Sequence, residues 1–183
     1  VALTYGAATL SRERTAGVLT RLATTPARRS EIVLGKLAGR LAVAAAQIVV
    51  LLAFGVATAP LTGIDLLPQA PLLLLVLLLF AAAVAPLAVL LGVWVSDPDR
   101  VASLGVIATL VMAALGGCWW PLEVVSPTLQ KAAMVLPTGW TMVALHDVIS
   151  FGHGLPRLAP PLLVLALFSA AGTILAARLF RLE

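Results

Sequence analysis

Apolar residues in this chain fall in long, nearly charge-free runs separated by short polar breaks. From Leu41 to Ser96 the only ionised side chain is Asp65, and no charge lies between Val101 and Leu122 or between Leu158 and Ala177. A helix needs about 20 such residues to cross hydrocarbon about 30 Å thick. The runs over residues 30–58, 71–95, 101–120 and 160–179 meet that length. Residues 1–10 are apolar but reach only about 15 Å at 1.5 Å per residue. They read as the end of a further span, so the chain is expected to be a fragment that starts inside a membrane helix. The pattern therefore predicts an all-α polytopic membrane protein with four complete transmembrane helices and the end of a fifth.

Local signals place the boundaries. Ser30 suits an N-cap, with Glu31 in the positive first turn that follows. Pro60, Gly63, Asp65 and Pro68 mark a short polar link. Pro86 falls well inside its run and predicts a kink, because it removes one backbone donor and crowds the preceding turn. Residues 96–100 form a tight turn in which Asp97 and Asp99 read as caps and solvated charge. The pair Pro160-Pro161 suits a helix start.

Two segments are not simple spans. In residues 11–26, Thr15, Val18, Leu19 and Leu22 recur at i, i+3, i+4 and i+7, one face of a helix. Arg12, Glu13, Arg14, Arg21 and Thr24 occupy other faces, and Thr25-Pro26 ends the segment. Such a helix either rests on anionic headgroups or docks a cytoplasmic partner, and the pattern fits both. Residues 121–150 are too apolar for a free loop and are interrupted at Pro137-Thr138-Gly139, so neither half can span. They fit an outer re-entrant helical hairpin whose broken backbone packs on protein; two flat interfacial helices fit the composition equally. Ser126-Pro127 and Thr138 are the expected starts of the two halves.

Composition and charge sharpen the class. Hydrophobic residues make up 61% and charged residues 11%, against about 45–50% and about 25% in soluble domains. That excludes an ordinary globular enzyme, a disordered chain and a nucleic-acid binder. The net charge of +4 reflects placement beside the spans, since seven of the 12 Lys and Arg lie between Arg12 and Arg40. Ten basic residues fall on the side holding residues 11–40, 96–100 and 178–183, and two, Lys131 and Arg157, on the other. The positive-inside rule puts the first group in the cytoplasm and Trp119 and Trp120 at the outer interface.

Candidate chemistry is sparse. His146 and Asp147 are neighbours, so on a helix they diverge by about 100° and cannot orient one another. No full span carries the mid-membrane carboxylate or histidine of a proton relay, which disfavours the alternative of an ion-coupled secondary transporter. No phosphate-cradling GxxxxGK[ST] run occurs. Cys118 beside Gly116-Gly117 reads as a small residue in a helix-packing face, and Gln47 as an amide that bonds a neighbouring helix.

The run Glu13-Arg14-Thr15-Ala16-Gly17-Val18-Leu19-Thr20-Arg21-Leu22, then Thr25-Pro26 and Leu34-Gly35-Lys36, resembles the cytoplasmic signature of ABC-2 type transporter permeases. Downstream, Pro121-Leu122-Glu123, Pro127 and Leu136-Pro137-Thr138-Gly139-Trp140 are similar to that family's outer re-entrant region. The resemblance covers essentially the whole chain. It implies an exporter permease in the bacterial cell membrane that performs no covalent chemistry and pairs with a second half, commonly identical. Residues 12–24 would be the coupling helix docking a cytoplasmic ATP-binding cassette subunit, through Arg12, Glu13, Arg14, Thr15, Gly17, Val18, Leu19, Arg21, Leu22 and the terminating Pro26. ATP and magnesium would then belong to the partner, with no cofactor bound by this chain. The outer region would rest on Pro121, Glu123, Pro127, Pro137, Gly139 and Trp140.

Overall fold

The computed structural model of the chain describes residues 29–63, 65–95 and 97–179. Among them every regular element is helical: α1 (Arg29–Thr58), α2 (Ala70–Trp94), α3 (Pro98–Leu115), α4 (Pro127–Ala133), α5 (Pro137–Ile149) and α6 (Leu155–Leu179), with short 3-10 turns at Ala59–Thr62 and Leu122–Val124. Three helices are long and apolar enough to cross a membrane, Leu34–Leu61, Ala70–Trp94 and Leu155–Leu179; the bent pair α4–α5 makes a fourth if it counts as one span. The chain is a multi-pass membrane protein. The segment 11–26, with all its docking candidates, lies outside the described residues.

α2 is the hub. Apolar all round, it packs against α1, α5 and α6 and more lightly against α3, and 39% of its span is buried against 6% for α1 and 11% for α6. A helix without a polar face has no side to offer water, so neighbours or lipid must cover all of it. Leu37 of α1, Ala85, Val89 and Leu90 of α2 and Ala176 of α6 form one core cluster. Val84 and Ala88 meet Val101 of α3 in a second. Leu73 and Val76 meet Ala144, Val148 and Leu158 of α5 and α6 in a third. In the last third of both helices Gly172 of α6 lies against Pro86, where an added Cβ would stand 3.0 Å from the proline Cβ. The two backbones therefore approach closely at the point where the α2 ladder lacks a donor.

Several boundaries differ from the sequence expectation. Ser30 lies within α1 as a helical residue, not ahead of it as a cap. α3 stops at Leu115, five residues before Trp120; Gly116 caps it and Gly117, at φ +85°, turns the chain away. A left-handed backbone costs glycine little and ends the helix there. At 18 residues α3 is about 27 Å long, just under a full crossing. α6 begins at Leu155, so Pro160 and Pro161 lie inside the helix and do not open it.

Candidate functional site

The local structure of residues 116–150 is assembled by a chain of caps and side-chain bonds that starts on α3.

Asp97 opens α3, its carboxylate accepting from the amides of Asp99 at 2.9 Å and Arg100 at 3.3 Å, with the Arg100 Nε 3.4 Å away. These are caps, as the turn's sequence implies. At the other end Gly116 is buried under Thr138 of α5, and any Cβ there would overlap the Thr138 side chain and stand 2.6 Å from the Met112 carbonyl. The Thr138 hydroxyl donates to that same carbonyl at 2.8 Å. The expected start at Thr138 falls one residue inside α5, which Pro137 opens with Leu136 at the cap position and no side-chain cap bond. Thr138 fastens the hairpin to α3.

The hairpin itself is tightly made. Ser126 caps α4 through the Leu129 amide at 3.4 Å, and Pro127 takes the first helical position, where a missing donor costs nothing. Gln130 donates back to the Leu122 and Val125 carbonyls at 2.8 and 3.3 Å, stapling α4 to the preceding link. α4 and α5 meet at 102°. Pro137 opens α5 and is buried, and Gly139 is so close to the Ala133 carbonyl that a Cβ would overlap it. The Trp140 indole donates to the Met134 carbonyl at 2.7 Å, satisfying one of the orphan carbonyls at the end of α4. Pro121 begins the turn Leu122–Val124. Of the six residues named for this region, Pro137, Gly139 and Trp140 lie at the bend, Pro121 and Pro127 on its approach, and Glu123 in the turn between them.

Glu123 Oε1 lies 2.9 Å from His146 Nδ1 on α5. Its carboxyl is held below its ordinary value chiefly by a hydrogen bond from its own backbone amide; desolvation opposes this, and His146 adds a smaller lowering. A second pair stands beside it: His153 Nδ1 is 3.0 Å from Asp147 Oδ1, with Arg157 Nε 3.9 Å from the other oxygen. The Phe151 ring lies between the two imidazoles, 5.3 Å from His146 and 5.4 Å from His153, and stacks on the latter. His146 and Asp147 indeed do not pair with each other. Each finds a partner across a turn or a link, at separations of 23 and 6 residues, which no local period announces.

A cavity of about 440 Å³ opens between the end of α3, the link and α5. Cys118 lines it and is exposed beyond the helix end, a correction to its expected place in a packing face; Gly116 and Gly117 pack instead, the latter against Leu122. Among the described residues no group of three or more His, Cys, Asp or Glu is arranged to hold a metal. Gln47 is exposed on α1 together with Val43, Val50, Leu51 and Phe54, so its amide faces away from the described helices.

No solved structure matches this chain. The Linearmycin resistance permease protein LnrN of Bacillus subtilis (strain 168) is 27% identical over 146 residues, which cover 80% of this chain and 37% of the relative. The chain thus spans little more than a third of that relative's length. A family model described as ABC-2 family transporter protein matches residues 1–178, the cytoplasmic motif, the helical hub and the bent pair included. The chain belongs to the ABC-2 family of transporter permeases.

Proposed function

We propose that this permease forms the translocation path of an ATP-binding cassette exporter and is driven by a separate cytoplasmic ATPase that docks on residues 12–24. The observation that carries the reading is the family match over residues 1–178, which joins the Glu13–Leu22 motif and the bent pair in one chain. In this reading nucleotide-driven closure of two ATPase subunits moves the coupling helices, and the spans tilt to open a path outward. Coupling of about 5.5 kcal/mol suffices to take a two-state equilibrium from 1:99 to 99:1. The exposed α1 face bearing Val43, Val50, Leu51 and Phe54 supports assembly with further spans or with a second, identical half in the bacterial cell membrane. The bent pair then dips into the outer leaflet as a re-entrant hairpin. The relative's resistance function supports a small-molecule efflux role.

The test separates docking from lipid adsorption. Exchanging Glu13→Arg with Arg14→Glu keeps net charge and so leaves membrane attraction unchanged, whereas a partner groove reads each position. The exchange is expected to uncouple ATP hydrolysis from transport in reconstituted vesicles at normal expression. Wild-type stimulation and transport would refute the docking role.

A further inference from the structure

The cavity at the end of α3 has a lining that the transport reading leaves unused. Its volume, about 440 Å³, lies within the range of about 300–1,000 Å³ typical of small-molecule sites. Trp119 and Trp120 line it while remaining 58% and 60% exposed, so neither indole is consumed by core packing. Leu122, Met142, Leu145 and Ile149 supply an apolar wall. The lining holds one carboxylate, Glu123, and no Lys or Arg. His146 takes up one of its oxygens at 2.9 Å, yet the Glu123 side chain is still 59% exposed. A carboxylate offers about four acceptor directions, which leaves room for a second partner.

We propose that this cavity binds an organic ammonium group carried on an apolar tail. The chemistry is selective in sign. A cation gains an ion pair with Glu123 and attraction to the indole faces, for which tryptophan is the best aromatic partner. An anion would meet the carboxylate with no compensating base other than His146, already engaged. The tail lies along the Leu122, Met142 and Ile149 wall. Two sources carry this group, the headgroup of an amine-bearing lipid and a free cationic amphiphile. Binding here is independent of the ATPase, so its test stands or falls apart from the transport mechanism.

Cys118, on the cavity wall, reports occupancy. The full-length permease in a neutral maltoside detergent is alkylated with iodoacetamide, and modification of the Cys118 peptide is followed by mass spectrometry. Decyltrimethylammonium is expected to protect Cys118 saturably. Decanol and decyl sulfate, with the same tail, should need at least about tenfold higher concentration, which is about 1.4 kcal/mol. Glu123→Gln and Trp120→Leu should each raise the half-protecting concentration of the ammonium probe without changing that of decanol. Equal protection by all three tails would overturn the proposal in the wild-type protein alone, whatever the variants do. So would unchanged ammonium protection in Glu123→Gln. Protection by phosphatidylethanolamine but not phosphatidylglycerol assigns the group to a lipid headgroup, and protection by the soluble probe alone assigns it to a free amphiphile. Equal protection by both lipids overturns it.

Discussion

The junction between α3 and the bent pair rests on one carbonyl, and its two contacts can be perturbed separately. Met112 O accepts from the Gly116 amide at 2.9 Å and from the Thr138 hydroxyl at 2.8 Å. Thr138→Val keeps the shape and deletes only the second bond. Because the carbonyl retains its helical donor, it is not orphaned, and the loss should be that of an ordinary hydrogen bond, about 1 kcal/mol. Gly116→Ala is a different matter. Its Cβ would overlap Thr138 and crowd the Met112 carbonyl at 2.6 Å, and one of those obstacles is backbone, which a rotamer change cannot clear. Overpacking of this kind costs about 1–3 kcal/mol, occasionally more, so Gly116→Ala should cost about 3 kcal/mol. At about 2–4 °C per kcal/mol for a chain of this size, Thr138→Val lowers the unfolding temperature by about 3 °C and Gly116→Ala by about 9 °C. The assay is thermal unfolding of detergent-solubilised protein, followed by size-exclusion of a fluorescent fusion. The two sites touch, so their effects should not add: Thr138→Gly in the Gly116→Ala background should recover part of the loss. If Gly116→Ala proved no worse than Thr138→Val, or if the double variant were fully additive, the junction would not be packed as described.

The remaining expectations test charge, sidedness and depth. Because the Glu123 carboxyl is held below its ordinary value, chiefly by its own backbone amide and to a smaller degree by His146, these bonds contribute stability above the ordinary carboxylate range and lose it as pH falls through the lowered value; spin labels at Val124 and Ile149 should separate on acidification from pH 6 to about 3, and the same widening in Glu123→Gln would refute the link. In a Cys118→Ser background, cysteines at Thr62 and Gly154 should react with an impermeant thiol reagent outside intact cells and one at Asp97 should not; outside labelling at Asp97 would invert the orientation drawn from charge. Spin labels stepped from Thr128 to Leu145 should report immersion that deepens toward the 102° bend and then reverses, whereas uniform shallow depth would mean flat helices.

Three of the four expected spans, over residues 30–58, 71–95 and 160–179, were legible because lipid imposes one rule on every position, and long apolar runs between polar breaks satisfy it almost alone. The interruption just before Pro137, three residues ahead of where the sequence placed it, and the Ser126 cap were legible because proline and a capping hydroxyl act within four residues. What escaped the sequence depends on approach across the fold. Thr138 read only as the start of a helix, which it is to within one residue; the bond from its hydroxyl to the Met112 carbonyl depends on the nearness of α3. Gly116-Gly117 looked like part of a span because glycine is also tolerated there; the positive φ at Gly117 is set by Leu122 and the link that follows. Glu123 and His146 are 23 residues apart, with no period to join them. The Pro160-Pro161 pair misled in the other direction: α6 opens at Leu155 with Pro156 in the first turn, where donors are free in any case, and the helix continues through Pro160 and Pro161.

The close approach of Gly172 to Pro86 divides the molecule mechanically. Side chains can shear past one another by changing rotamer, but here a helix without a Cβ lies against a rigid ring, and sliding either one would drive backbone into that ring. α2 and α6 therefore move as one stiff body, and α5, held to both by Ala144, Val148 and Leu158, travels with them. α1, only 6% buried along its span, gives up few protein contacts when it swings, because lipid replaces them nearly one for one. Among the described helices α1 is therefore the one least held by the bundle, its apolar face left for lipid or other helices to cover, while the far end, with its cavity, is carried on the stiff half.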